Sequence, residues 1–163
     1  MRFRFEHRFA ADPDALARAY ADPDLYPTLG GTSKLAPPEL LDVVVDGDRT
    51  TLRVRYRFIG DLSPAARAVL DPVKLTWVVE SVHDVANRSV AFTMAADHYP
   101  DRFRCDGTEL ITPDGTGACR TMTGELRVKA MLVGSTVERV LVQDLDDHLA
   151  AEVPRVEKFT NPG

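Results

Sequence analysis

Hydrophobic and polar residues alternate along most of this chain, and the exceptions fall near its start, at its middle and at its end. In "RFRFEHRF", residues 2 to 9, Phe3, Phe5, His7 and Phe9 share one face and Arg2, Arg4, Glu6 and Arg8 the other, the period of a half-buried strand. Two short helices are predicted next, because "ADPDALARAY" and "ADPDLYPTLG" each offer an Asp cap (Asp12, Asp22), a proline at the first helical position (Pro13, Pro23) and an acidic first turn. Gly30 and Gly31 stop the second. Alternation then resumes: Leu41, Val43 and Val45 run into an Asp46-Gly47 turn, and Leu52, Val54, Tyr56 and Phe58 return against Arg53, Arg55 and Arg57. A two-residue loop there sets Leu52 opposite Leu41. "GDLSPAARAVLDP" breaks the pattern with Ser63 as a cap and Pro64 at a first helical position, one or two helical turns that would cover an opening.

Two more hairpins follow. Leu75, Trp77, Val79 and Ser81 run out and Val90, Phe92, Met94 and Ala96 return through "HDVANR"; pairing His83 with Arg88 sets Trp77 against Met94 and Val79 against Phe92, all on one face. The last hairpin, roughly Phe103 to Ala130, turns at "PDGT" with Thr112 opposite Gly117 and Glu109 opposite Arg120. Alternation puts that carboxylate and guanidinium on the side of Met122, Leu126 and Val128. After Gly134 the period becomes helical. Ser135 and Glu138 have the spacing of a capping box, Leu141, Leu145 and His148 follow an apolar stripe, and the helix runs nearly to the end of the chain with a kink expected at Pro154. The predicted class is α+β: one strand, two short helices, six antiparallel strands and a long C-terminal helix, which needs the apolar face of those strands to lie on.

The chain has 163 residues, 44% of them hydrophobic and 28% charged, enough for one domain spanning 1–163 with its own core. A net charge of −5 argues against a polyanion binder. The outward arginines 53, 55 and 57, and 2, 4 and 8, carry no interleaved aromatic residues, so they read as solvated faces that discourage edge pairing rather than a nucleic-acid surface. No signal-peptide core or membrane-length apolar run is present, giving the expectation of a cytoplasmic protein without stable membrane insertion. Cys105 and Cys119 lack the spacing of a redox or zinc pair and are expected as small buried residues. His7, His83, His98 and His148 form no metal-ligand spacing, and there is no GxSxG elbow, phosphate loop or CxxC pair, so no metal or cofactor is expected.

The order of elements, with the strand-to-helix passage "GELRVKAMLVGSTVERVL", resembles the START-like (SRPBCC) helix-grip superfamily, which includes birch-pollen-allergen-type proteins and polyketide cyclases, and is most similar to the actinobacterial DUF2505 family within it. The resemblance implies a curved seven-stranded sheet wrapped around the last helix, with an apolar cavity between them. The loop "LGGTSK" lacks the longer glycine-rich loop of the plant proteins. What the resemblance implies in function is a hydrophobic small molecule (lipid, isoprenoid or polyketide-like) bound without defined catalysis by a monomer or weak homodimer. Its contacts would be Tyr56, Phe58, Trp77, Val79, Phe92, Met94, Met122, Leu141 and Leu145, with Glu109, Arg120 and His148 as polar anchors. Two alternatives stand beside it. One is a cyclase or aromatase in which Glu109 or His148 moves a proton; the other is an interaction module with a filled interior, in which Glu109 and Arg120 are a structural ion pair and His148 a helix-edge residue. Val153, Val156 and Phe159 would cover the mouth, dock on the body or meet a partner.

Overall fold

Seven alternating segments pair into one antiparallel sheet, in the spatial order β1-β7-β6-β5-β4-β3-β2. The strands of this computed structural model are β1 (Arg2–Phe9), β2 (Glu39–Asp46), β3 (Arg49–Arg57), β4 (Thr76–Asp84), β5 (Ser89–Ala96), β6 (Phe103–Asp114) and β7 (Gly117–Val128). The structure describes residues 1–31, 33–68 and 70–163; Thr32 of the "LGGTSK" loop and Val69 of the "GDLSPAARAVLDP" segment lie outside them. The long helix α3 (Gly134–Thr160) lies in the curve of the sheet, packed chiefly on β1 and β7.

The first helix, α1 (Pro13–Ala21), starts as its residues dictate: the Asp12 carboxylate accepts from the N–H groups of Asp14 and Ala15 at 3.0 and 3.2 Å. Asp22 caps the next turn in the same way, but Pro23–Leu29 is a 3-10 helix rather than an α-helix. Pro27 has no N–H to donate one turn back, which keeps the segment short and tight. In the break between β3 and β4 stand a single helical turn, α2 (Pro64–Arg67), and a 3-10 turn at Pro72–Lys74 capped by Asp71.

All three hairpin registers differ from expectation, and all by the same step. Asp46 pairs with Arg49, so Leu52 faces Val43 rather than Leu41, which sits at a bulge between Leu40 and Asp42. Asp84 pairs with Ser89, so Val79 faces Met94 and Trp77 faces Ala96; His83 pairs with Val90, not Arg88, and Phe92 with Ser81. Asp114 pairs with Gly117, so Thr112 faces Cys119, Glu109 faces Met122 and Arg120 faces Ile111. Each slip is of two residues, which changes partners but keeps side chains on their predicted faces, except beyond the bulge in β2, where Leu40 in place of Leu41 pairs with inward-facing Val54 and packs on the core. Phe58 lies just past the end of β3, bridged to Leu35 and donating its N–H to Leu75 C=O at 3.0 Å.

The start of α3 also departs from expectation. The helix begins at Gly134 without a side-chain cap, so Ser135 and Glu138 do not form a capping box. Glu138 instead reaches back to the sheet, where Oε1 accepts from Val128 N–H at 2.8 Å and Oε2 lies 3.0 Å from the Met1 ammonium. Pro154 stands inside the helix, and beyond it Val156 is fully buried while Val153 and Phe159 pack on the same core: of the three roles open to this segment, it docks on the body. Cys105 is core, but Cys119 is half-buried on the outer face beside Arg8.

Candidate functional site

The inner face of the sheet changes character along its length. Toward the α1 end, Leu52, Val54, Ile111 and Ala118 are closed over by Leu16, Tyr20, Leu25, Tyr26 and Val156. Toward the opposite end, where β3, β5 and β7 finish and β4 and β6 begin, Tyr56, Trp77, Val79, Met94, Phe103 and Val128 all stay half-buried although the ladders put them on the same inner face. The helix shows the same gradient: Leu141 and Leu145 in its first half are half-buried, and His148, Leu149, Glu152 and Val156 in its second half are buried. Leu141 and Leu145 pack on the same cluster as Val79 and Met94 and make with them a half-buried apolar strip, the trough, between the first half of α3 and strands β3 to β5. Phe92 and Met122, both buried, belong to the cluster beneath it, and Tyr56 and Trp77 stack along its β3–β4 wall with ring centroids 6.0 Å apart.

Where the trough closes, polar side chains are built into the core. Arg120 Nε donates to Glu109 Oε2 at 2.7 Å, both side chains being more than nine-tenths buried, and Arg120 Nη1 donates to the Tyr20 hydroxyl at 3.0 Å. The guanidinium carbon also lies 4.1 Å from the centre of the Tyr20 ring. Burial works against the Arg120 charge, but Glu109 and Tyr20 more than offset it and hold the guanidinium protonated. Burial also pushes the Tyr20 and Tyr26 hydroxyls well up, with Arg120 opposing, so both stay neutral. The Tyr26 hydroxyl donates to Tyr20 C=O at 2.9 Å.

His148 sits between these layers. Its Nδ1 is 2.8 Å from Ser33 Oγ, its Nε2 is 2.8 Å from Glu152 Oε1, and its ring meets Tyr56 edge-on at 6.1 Å. The Glu152 approach has ion-pair distance without an aligned hydrogen bond, and Glu152 Oε1 has no other partner among the described residues. Of the remaining histidines, His7 faces α3 with Nε2 3.0 Å from Asp146, and His98 lies exposed in a loop. His83 is buried with Nε2 2.9 Å from Ser81 Oγ, and burial draws its pKa down to about 4 against the pull of Glu109. Its Nδ1 has no partner among the described residues and borders a cavity of about 10 Å³, room for about one water.

Sequence reasoning missed Tyr20, Tyr26, Ser33 and Glu152. For Glu152 a signal existed: it follows His148 by four residues on the same stripe as Leu145, Leu149 and Val156. Ser33 and the tyrosines come from segments whose position depends on how they fold over the sheet, which no local period reveals. A shallow cleft of about 210 Å³ also opens at the β2–β3 edge beside Tyr56, Arg55 and Arg57. The outward arginines are laced with carboxylates, Arg53 with Glu80, Arg55 with Asp97 and Glu39, Arg4 with Glu6 and Arg8 with Asp114. Among the described residues no three His, Cys, Asp or Glu side chains cluster to hold a metal ion, and no helix is long and apolar enough to cross a membrane.

A family model described as protein of unknown function (DUF2505) matches residues 4–159. Similar solved structures include a protein of Thermus thermophilus (19% identity, TM-score 0.68, covering 98% of this chain and 97% of that one). Another is the Zhui aromatase/cyclase of a Streptomyces species (15%, 0.63, 98% and 93%). A third is norcoclaurine synthase of Thalictrum flavum in complex with dopamine and hydroxybenzaldehyde (19%, 0.60, 98% and 85%). No curated protein matches the chain. At these identities the likeness is one of fold, and the fold is the helix-grip.

Proposed function

The chain belongs to the DUF2505 family and takes the helix-grip fold, and from that premise we propose that it binds a hydrophobic small molecule in the trough between α3 and strands β3 to β5. The observation that supports this is the half-burial of Tyr56, Trp77, Val79 and Met94 on an inner face that is sealed toward the α1 end. Apolar side chains that point inward and still meet solvent gain roughly 25 cal/mol for each Å² of apolar area that a ligand covers. Norcoclaurine synthase shows the same fold holding two small aromatic compounds, and an aromatase/cyclase shares it, which agrees with a lipid, isoprenoid or polyketide-like ligand here.

The contacts fall to Tyr56, Phe58, Trp77, Val79, Met94, Leu141 and Leu145, over a floor of Phe92 and Met122. Glu109, Arg120 and His148 shape the closed end. Glu109 is tied to Arg120, and His148 lies between the Ser33 hydroxyl and the Glu152 carboxylate. The reading rests on binding and defines no catalysis. It is tested by native mass spectrometry of protein purified without detergent, followed by organic extraction. The expected result is a stoichiometric hydrophobic adduct that is lost in Met94→Trp, which fills the trough. A bare mass, with no uptake from a panel of lipids, isoprenoids and polyketides, overturns it.

A further inference from the structure

The open end of the trough carries a second feature that the ligand reading does not use. Large apolar side chains stand out into solvent there: Ile59 is 55% exposed, Val73 83%, Met131 93% and Leu132 102%. The topology brings them to one end, since β3 runs out into the loop bearing Ile59 and Val73, and β7, antiparallel to its neighbours, runs out at the same end into the loop bearing Met131 and Leu132. Leu132 also has φ +68°, the left-handed region that a leucine rarely enters. A residue held both strained and fully exposed contributes nothing evident to folding, and such sites concentrate where the chain has a task.

Beside these tips stand three cations that no carboxylate neutralises. Lys74 follows Val73, and Lys129 and Arg139 flank the Met131–Val133 stretch; all three are exposed, with no carboxylate at ion-pair distance among the described residues. Three carboxylates nearby are ion-paired, Asp61 with Arg67, Glu138 with the Met1 ammonium and Asp97 with Arg55. Asp71 accepts from the Val73 N–H and, like Asp101, has no cation at ion-pair distance among the described residues. Lys74, Lys129 and Arg139, with Arg102, outnumber these two carboxylates, on a chain whose net charge is −5.

We propose that this end docks on an anionic phospholipid surface, with Met131 and Leu132 entering the acyl boundary and Lys74, Lys129 and Arg139 meeting headgroup phosphates. Isolated apolar tips on separate loops, each beside a cation, suit a fluid interface better than a shaped protein groove. The excess negative charge elsewhere turns the opposite end away from such a surface. The proposal stands apart from the ligand reading, although it places the mouth of the trough against the bilayer.

Co-sedimentation with phosphatidylcholine vesicles, with and without phosphatidylglycerol, tests it. Binding is expected only to the phosphatidylglycerol-containing vesicles, falling about fivefold in Lys129→Ala and about tenfold or more in Leu132→Gly. Glycine accepts the positive φ, so Leu132→Gly melts no lower than the parent and a loss of binding cannot be blamed on misfolding. Uptake of a hydrophobic probe from solution, unchanged in Leu132→Gly, separates the surface from the trough. Binding to neither vesicle, equal binding to both, undiminished binding by Leu132→Gly, or a protein partner captured through Met131 and Leu132 in place of vesicles overturns the proposal.

Discussion

Arg120 and Glu109 are not opposite one another in the β6–β7 ladder, yet their side chains meet at 2.7 Å, diagonally across the inner face and sealed from solvent. Ion pairs in such a place cost desolvation on both sides, and the pair survives because Tyr20 adds a hydrogen bond and a ring face to the guanidinium. Removing one partner leaves a buried charge unmatched. Glu109→Leu and Arg120→Met are each expected to lower unfolding free energy by about 3–5 kcal/mol, whereas the double variant Glu109→Leu/Arg120→Met recovers most of the loss. Denaturant unfolding of the four proteins in this cycle measures the coupling directly; additive losses would mean that the two charges act independently.

The same pair shows what could be read in advance. Its face was legible because alternation is a local property, and a register slip of two residues, seen at all three hairpins, returns each side chain to the same side. Its ladder partners were not legible, since they depend on how the turn between Asp114 and Gly117 closes; nor does any local pattern announce the bulge at Leu41 that shifts β2. Phe9 and Leu52 were legible as inward-facing, but not the docking of Val156 beside them nor the lid of Tyr20 and Tyr26 that seals them, because α1 and the 3-10 helix reach the sheet only through tertiary packing. For the trough, residue identity was legible in Trp77 and Met94. The gradient from sealed to open was not, because it is set by where α3 seats.

Two glycines facing each other in the last hairpin make room for the aromatic core. A Cβ at Gly124 would stand 2.6 Å from Asp106 O and 2.7 Å from Phe3 Cζ, and one at Gly107 would meet Thr123 O and, at 2.8 Å, Phe92 Cζ. The rings can shift but the carbonyls cannot, so Gly107→Ala and Gly124→Ala should each cost about 1–3 kcal/mol by overpacking. Thermal unfolding checks this; a neutral Gly124→Ala would mean that the β6–β7 backbone yields more easily than its hydrogen bonds suggest.

At the head of α3 the expected cap is absent and Glu138 is spent on the sheet, so two substitutions should reverse the usual ranking. Ser135→Ala removes no cap and is expected within about 0.5 kcal/mol of the parent. Glu138→Ala removes the acceptor of the Val128 N–H and the partner of the Met1 ammonium, and should cost about 1–3 kcal/mol. Chemical denaturation of the two variants decides it: a larger loss in Ser135→Ala would restore the capping box.

His83 should give the fold a pH dependence that its surface carboxylates cannot. Burial holds its folded pKa near 4, with Glu109 raising and Arg120 lowering it, while in the unfolded chain it titrates near 6.5. Between those values the unfolded state binds a proton that the folded state refuses, so stability rises with pH across the window. The contribution is complete above about pH 6.5 and lost as pH falls toward 4, amounting to about 3 kcal/mol. Asp84 and Glu138, whose carboxyls are held below their usual range, add their own losses lower down, mostly beneath this window. His83→Gln keeps a polar partner for Ser81 without the titration, so its unfolding free energy should be flatter from pH 6.5 to 4.5 than that of the parent. Equal slopes in the two proteins would mean that the imidazole takes up its proton within the folded state, with water reaching Nδ1 through the small cavity beside it.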